Sequence, residues 1–450
     1  MSKIVNIIGN KWFRFSIWAA LYLLWVIWFG NYWFLLGLGI IFDLYITKKV
    51  KWAFWKKRYK EGEKRNAWLD WLDAVIFALI ASTFIKAFFF EAYMIPTSSM
   101  ERSLMVGDYL FVSKFKYGPR VSQTPIAFPL VHNTLPISGG ESYLTWIQNP
   151  YRRLAGLSKV KNDDIVVFSF PHGDTVLKSE PGADYYTYVR LYGRDYTINN
   201  YGPIIVRPVD RMDNYVKRCV AIAGDSLSIV NGKVYVNGVA QKNLPGIQNT
   251  YTIFTNGTEI NPILIEEMGL NPEEMIYDKS LPGYTFFPLN ETEVDKIKAL
   301  GNVVEVRQNI DSYPPDMPDS PLTIFPFSEN YKWTKDNYGP IWIPSAGATI
   351  KLDVNNLPLY SRIISSYEKN KLEVKDSVIY INGAPTESYT FKMDYYFMIG
   401  DNRHNSLDSR YWGFVPESHI VGTPSVIWFS KNQFKSFPKN IRWKRIFKFV

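Results

Sequence analysis

From Phe13 to Thr47 the chain is almost free of charge, and a second apolar run extends from about Trp68 to Phe90. Nothing else in the sequence constrains the fold as strongly, because a helix needs only ~20 apolar residues to cross a bilayer. The first run, interrupted by Gly30-Asn31 and by Asp43, is long enough for two packed spans joined at Gly30-Asn31. A single tilted or broken span is the alternative. The run is too long for the h-region of a cleavable signal peptide, and no A-x-A site follows it. Between the two runs lie Lys48, Lys49, Lys51, Lys56, Lys57, Arg58, Lys60, Lys64 and Arg65. By the positive-inside rule that loop is cytoplasmic, and with a two-span hairpin before it Lys3, Lys11 and Arg14 would place the N-terminus on the same side. The second run carries Asp70 and Asp73 near its start and Lys86 near its end, where a lysine can snorkel toward water. The expected organisation is a membrane segment over 1–47, a basic cytoplasmic loop over 48–66, a transmembrane helix over 67–90 and an extracytoplasmic domain over 91–450. That is a multi-pass protein of the cell (inner or plasma) membrane.

Composition agrees with a lipid environment. Of the 450 residues 16% are aromatic, with 15 tryptophans, and many of these rings crowd the first 90 positions as an interfacial belt would. The net charge of +9 is concentrated in Lys48 to Arg65 and Lys439 to Lys448 and comes with no nucleic-acid motif, so the expected partners of those clusters are anionic lipid headgroups. The basic tail with Trp443, Phe447 and Phe449 either lies on the membrane surface or is a solvated end. A single cysteine, Cys219, excludes an intrachain disulfide and a multi-cysteine zinc site. His132, His172, His404 and His419 form no HExxH pair, and no metal or cofactor is expected.

Beyond residue 91 the periodicity is that of strands. Asp108 to Lys114, Asp164 to Phe170, Ser226 to Gly232 and Lys233 to Gly238 are β-branched or aromatic runs ended by turn residues, which predicts a mainly β, antiparallel domain. Asn231-Gly232 is a type I′ hairpin signal. Ile229 to Gly238 is echoed by Val374 to Gly383, through a repeated hairpin or convergence. Residues 119–158 and about 243–371 look like inserts, the second with a proline-rich Pro314 to Pro321 and a helix-like Asn290 to Leu300.

Chemistry is concentrated at the start of this domain. A reactive group in Tyr93-Met-Ile-Pro-Thr-Ser-Ser-Met100 would sit just above the membrane, which suits a substrate that is itself a membrane segment. A serine hydroxyl needs a base, and no histidine lies in a triad motif. A lysine serves if burial lowers its pKa, and Lys217 stands in the apolar, strand-like Asn214 to Asp225. Taken alone, Lys217 reads as a solvent-facing strand lysine and Ser98 and Ser99 as loop serines.

The segments in order carry more. Pro96-Thr-Ser-Ser-Met100 with Gly107-Asp108 resembles the nucleophile box of type I signal peptidases. Lys161-Asn-Asp-Asp-Ile-Val-Val-Phe168 resembles their substrate-strand box, and Tyr215-Val-Lys-Arg218 with Ala223-Gly-Asp225 their lysine box. Gly400-Asp-Asn-Arg-His-Asn-Ser-Leu-Asp-Ser-Arg-Tyr-Trp-Gly-Phe-Val-Pro416 is the most specific match. The spacing resembles the family's long-insert members in the Bacteroidetes. The resemblance implies a signal-peptidase-type catalytic domain that cuts the signal peptides of exported preproteins without a cofactor. In it Ser99 attacks the scissile carbonyl, Lys217 is the general base, Thr97 joins the Ser99 N–H in the oxyanion hole, and Ser406 orients the lysine amine. Asp401, Asp408 and Arg410 would shape the site, or form a structural salt-bridge cluster. Ile95, Pro96, Leu104, Val167, Tyr215 and Val216 would line the substrate pockets, or belong to the core. The chain departs from the pattern at Arg102-Ser103 in place of Pro-Thr, at Ser98 and at Asp163 in place of Gly. Two other readings are a catalytically silent membrane-anchored β domain that binds exported chains or scaffolds secretion, and a self-cleaving Ser-Lys repressor. The second would need a DNA-binding domain that is not visible.

Overall fold

A computed structural model describes residues 10–50, 52, 67–171, 175–177, 179, 185–270, 272–277, 284–313, 323–433 and 435–450. Lys3, Lys51, His172, the cations from Lys56 to Arg65 and Pro314 to Pro321 lie outside the described residues.

The first apolar run forms a helix, Lys11–Phe29, capped by the Asn10 side chain and stopped at Gly30, whose φ of 70° suits glycine. The chain reverses at Gly30-Asn31 and continues through a short 3-10 turn, Tyr32–Leu36, a helix, Gly37–Phe42, and a π-helical turn, Asp43–Thr47. This arm packs back on the first helix: Tyr22 Oη donates to the Phe34 carbonyl at 2.7 Å, and Trp12 and Phe15 meet Phe42. Asp43 is tolerated in an apolar run because its carboxylate accepts from Lys49 N, Val50 N and Trp52 Nε1. The helix Ala67–Phe88 buries no residue against the rest of the protein. Among the described residues, it and Lys11–Phe29 are long and apolar enough to cross a membrane, whereas Tyr32–Thr47 is shorter.

After Phe88 the chain enters an eight-stranded sheet. Its order is Phe90–Met94, Asp108–Ser113, Ile420–Ser430, Ile165–Ser169, Asn214–Ala221, Tyr395–Ile399 and Val415–Pro416, with Lys448–Phe449 paired to the long strand Ile420–Ser430. Every pairing is antiparallel. The strand Ile165–Ser169 feeds two cores through the two-residue alternation of its side chains. Val166 and Phe168 pack with Tyr117, Cys219, Met398 and Trp412. Val167 packs with Ile95, Met100, Leu104 and Leu110 on the opposite face.

The two hairpins that echo each other share a form. Asn231 (φ 49°) and Gly232 (φ 76°) link paired strands Ser226–Val230 and Lys233–Val236. Asp376 and Ser377, also at positive φ, link Leu372–Lys375 to Val378–Ile381. Trp28 Nε1 donates to the Ala155 carbonyl at 2.9 Å and Arg152 donates to the Phe29 carbonyl, tying residues 119–158, the first of the two expected inserts, to the end of the first helix. The stretch expected as the second insert, about residues 243–371, contains a sheet of its own, ordered Ile276–Tyr277, Tyr284–Leu289, Asn249–Thr255 and Val303–Gln308. Its core holds Tyr251, Ile253, Ile265, Phe287, Leu289, Val294 and Ile297. The expected helix runs Glu291–Lys298 and starts with a capping box between Asn290 and Glu293.

Candidate active site

Two local features bring Ser99 and Lys217 together. The chain leaves Phe90–Met94 through Ile95 and Pro96 and tightens into a 3-10 turn, Ser98–Met100, which Met100 anchors by full burial in the core. As the second residue of that turn, Ser99 has a backbone N–H with no acceptor inside it. Lys217 lies in the strand Asn214–Ala221, paired with Val166. It shares a face with Val166 and Cys219, both fully buried, so strand parity carries its amine into the core.

The result is a contact between groups 118 positions apart: Lys217 Nζ donates to Ser99 Oγ at 2.5 Å. Ser99 is 8% exposed and Lys217 3%. Burial pulls the Lys217 amine down to about 8, against the upward pull of the Asp408 and Asp401 carboxylates. An amine with that pKa is neutral in part near pH 8 and can accept a hydroxyl proton.

The loop after Tyr395–Ile399 clasps the serine turn. Asn402 N donates to the Ser99 carbonyl at 3.1 Å, and Asn402 Nδ2 reaches the Ser98 carbonyl at 3.3 Å. Asn405 Nδ2 donates to Ser98 Oγ at 3.0 Å. Gly400 permits this approach, because a Cβ there would collide with Ser406 and with the Ser99 carbonyl. Asn402 and Asn405 stand inside the most specific sequence box, yet nothing in their residue type distinguished them from ordinary loop asparagines.

The charged residues form two bidentate pairs under the loop. Arg218 holds Asp401 through Nε and Nη2 at 2.7 and 2.6 Å, and Ser103 Oγ donates to the same carboxylate at 2.5 Å. Arg410 holds Asp408 through Nε and Nη2 at 2.8 and 2.7 Å and also donates to the Arg403 carbonyl. Burial pushes the Asp408 carboxyl up, but the Arg410 guanidinium outweighs it and holds the group below its ordinary value. Ser406 is buried beside Gly400, where its hydroxyl helps to hold the Asp408 carboxyl down, and among the described residues its Oγ makes no hydrogen bond to Lys217.

Thr97, before the serine turn, is exposed, as is Pro96. Ile95, Leu104 and Val167 are packed into the core, while Val216 is half-buried against them. Tyr215 is half-buried and stacks on Phe170 with ring centroids 4.4 Å apart. Among the described residues no cluster of histidine, cysteine and carboxylate could hold a metal ion.

An antiparallel β domain behind apolar helices, with a buried lysine against a serine, has the form of a serine peptidase of the signal-peptidase type. Comparison with known proteins agrees. The model of the family described as signal peptidase, peptidase S26 matches residues 68–279 and 348–429. The chain belongs to that family and is a serine peptidase, a hydrolase. It is 23% identical over 422 residues to a signal peptidase I of Buchnera aphidicola (subsp. Acyrthosiphon pisum), covering 93% of this chain and 94% of that protein. Signal peptidase I of Haemophilus influenzae is 24% identical over 375 residues, 83% of this chain and 73% of that one. Signal peptidase I of Helicobacter pylori (strain 26695) is 23% identical over 395 residues, 85% and 91% of the two chains.

Proposed function

We propose that this peptidase is anchored in the cell membrane and removes the signal peptides of exported preproteins on the extracytoplasmic side, with Ser99 and Lys217 as a catalytic dyad. The observation that carries the reading is the 2.5 Å contact between a serine and a buried lysine.

In its neutral form Lys217 takes the Ser99 proton as Oγ attacks the scissile carbonyl carbon. Negative charge develops on the carbonyl oxygen, where the Ser99 N–H and the Thr97 hydroxyl are the proposed donors; such a donor contributes about 10²–10³ in rate. Lys217 then gives its proton to the leaving amine, and the C–N bond breaks. Water, deprotonated by the same lysine, hydrolyses the acyl-enzyme. Ser406 is the proposed neighbour that fixes the amine, and Asp401, Asp408 and Arg410 keep the loop around the dyad in shape.

An extended substrate has an edge to join. Along the strand Asn214–Ala221, Tyr395–Ile399 reaches only Arg218 to Ala221, so among the described residues Asn214 to Val216 have a strand neighbour on one side alone. That edge supports strand addition, with the backbone giving affinity and small pockets giving selection. Pro96, Tyr215 and Val216 can touch such a strand as they stand. Ile95, Leu104 and Val167 form the pocket floor.

The test is cleavage of a preprotein in detergent by wild type, Ser99→Ala and Lys217→Ala. Both variants are expected to lose at least about 10³ in turnover while still binding the preprotein. Near-wild-type turnover by either would break the dyad assignment. Binding without cleavage by the wild type would favour the scaffold reading.

A further inference from the structure

Three residues after Ser99, Arg102 takes a left-handed backbone, φ 73°, uncommon for a side chain of its size. Its guanidinium leaves the catalytic sheet for the second insert. There Nε donates to Gln248 Oε1 at 2.6 Å, Nη1 to Glu293 Oε1 at 2.5 Å and Nη2 to the Pro288 carbonyl at 3.3 Å. Both acceptor residues are held in turn, Glu293 through its side chain and Gln248 through its backbone. Glu293 is buried, and its other oxygen accepts the Asn290 N–H at 2.9 Å, closing the helix cap. Gln248 is fully buried; its backbone N–H donates to the Asp401 carbonyl at 2.9 Å and its backbone carbonyl accepts from Arg403 N at 2.9 Å.

These bonds close a ring. The serine turn leads to Arg102, Arg102 to Gln248, Gln248 to the loop at Asp401, and the loop back to Ser99 through Asn402. Glu293 and Pro288 fall between residues 279 and 348, the stretch that the family match leaves out. We propose that the second insert positions the nucleophile, with Arg102 as the positioning residue and Glu293 and Gln248 as its anchors. The inference rests on Ser99 acting with Lys217.

The chemical argument is geometric. A turn closed only by short local bonds can swing, and proton transfer to Lys217 needs the hydroxyl within hydrogen-bond reach of the amine. An arginine fixed by a bidentate-capable carboxylate and a buried amide removes that freedom, since its planar fork orients as well as attracts. The substrate edge at Asn214 to Val216 is not part of the ring, so loosening it should leave binding intact.

The experiment is a double-mutant cycle on the full-length enzyme in detergent, measuring kcat and KM separately against pH. Arg102→Ala is expected to lower kcat about 10- to 100-fold, the scale of a misplaced reacting group, with KM nearly unchanged. Glu293→Ala should also lower kcat, and the double variant no more than Arg102→Ala alone, because Arg102→Ala already removes the contact to Glu293 together with those to Gln248 and Pro288. The pH at which activity rises should stay where the wild type has it, since Lys217 remains buried. Wild-type kcat in Arg102→Ala, or losses that simply multiply in the double variant, would overturn the proposal. Should Arg102→Ala not fold, Glu293→Leu decides: it keeps the side-chain size but removes every acceptor, and an unchanged kcat refutes the clamp. Ser99→Ala serves as the control. If it is inactive while the Arg102 variants are unimpaired, only the clamp fails; if it is active, the dyad fails and the clamp with it.

Discussion

A lysine becomes a base at physiological pH only if its ammonium form is made costly, and the protein does this to Lys217 by strand parity. The same parity brings Asp401 and Asp408 near, and these raise the amine's pKa. Each carboxylate is tied to an arginine, which limits that pull. Arg410→Ala should therefore do two things. It leaves Asp408 buried and unpaired, costing about 3–5 kcal/mol in chemical denaturation. It also removes a positive charge that lowers the Lys217 pKa, so the rise of activity should move to higher pH. Unchanged stability with an unshifted profile would speak against both. Thr97 carries a separate expectation: Thr97→Val should lower kcat about 10²–10³-fold, and Thr97→Ser should restore most of it. Equal rates for the two variants would remove Thr97 from the oxyanion hole.

Between elements, the site depends on a close approach of two turns. Gly400 lets the loop bearing Asn402 lie against the serine turn, and Gly400→Ala would force them apart. We expect a stability loss of about 1–3 kcal/mol, the usual scale of overpacking, with a larger fall in turnover. Full activity would mean that the clasp is dispensable. Much at this scale was legible in the sequence. Asn231-Gly232 demands positive φ at both positions and forms the expected hairpin, and Asn290 with Glu293 caps the expected helix. The long strand Ile420–Ser430 was not, because Gly422, Thr423 and Pro424 interrupt its apolar alternation and its pairing shifts register there. Nor was Tyr395–Ile399, whose unbroken apolar run has no strand signature of its own and which is defined by partners far away in sequence.

Across the whole molecule, local chemistry could announce the boxes but not their meeting. Ser99, Lys217 and the loop from Gly400 are joined by long-range sheet pairing, which periodicity cannot supply; the order of the boxes and their family resemblance supplied it instead. Residues 119–158 and about 243–371 stood out by their prolines and turn residues as well as by departing from that pattern, and the family match leaves out the part of the second between residues 279 and 348. Arg102 was read as a departure too, and its reason lies in Glu293, a residue 191 positions away. Membrane orientation is a matter for the whole chain as well. In the proposed topology the basic loop ahead of Ala67–Phe88 is cytoplasmic and the catalytic domain lies outside, so protease added to the outer face of sealed vesicles should digest it. Digestion only from the cytoplasmic face would reverse the topology.

The most direct test of the central claim, that buried Lys217 is the general base, is the pH dependence of kcat/KM for preprotein cleavage. Below its pKa the amine is protonated and cannot take the Ser99 proton. The rate is therefore expected to rise tenfold per pH unit through the neutral range and level off above about 8, the value to which burial lowers Lys217. A flat profile from neutral to alkaline pH would contradict the account.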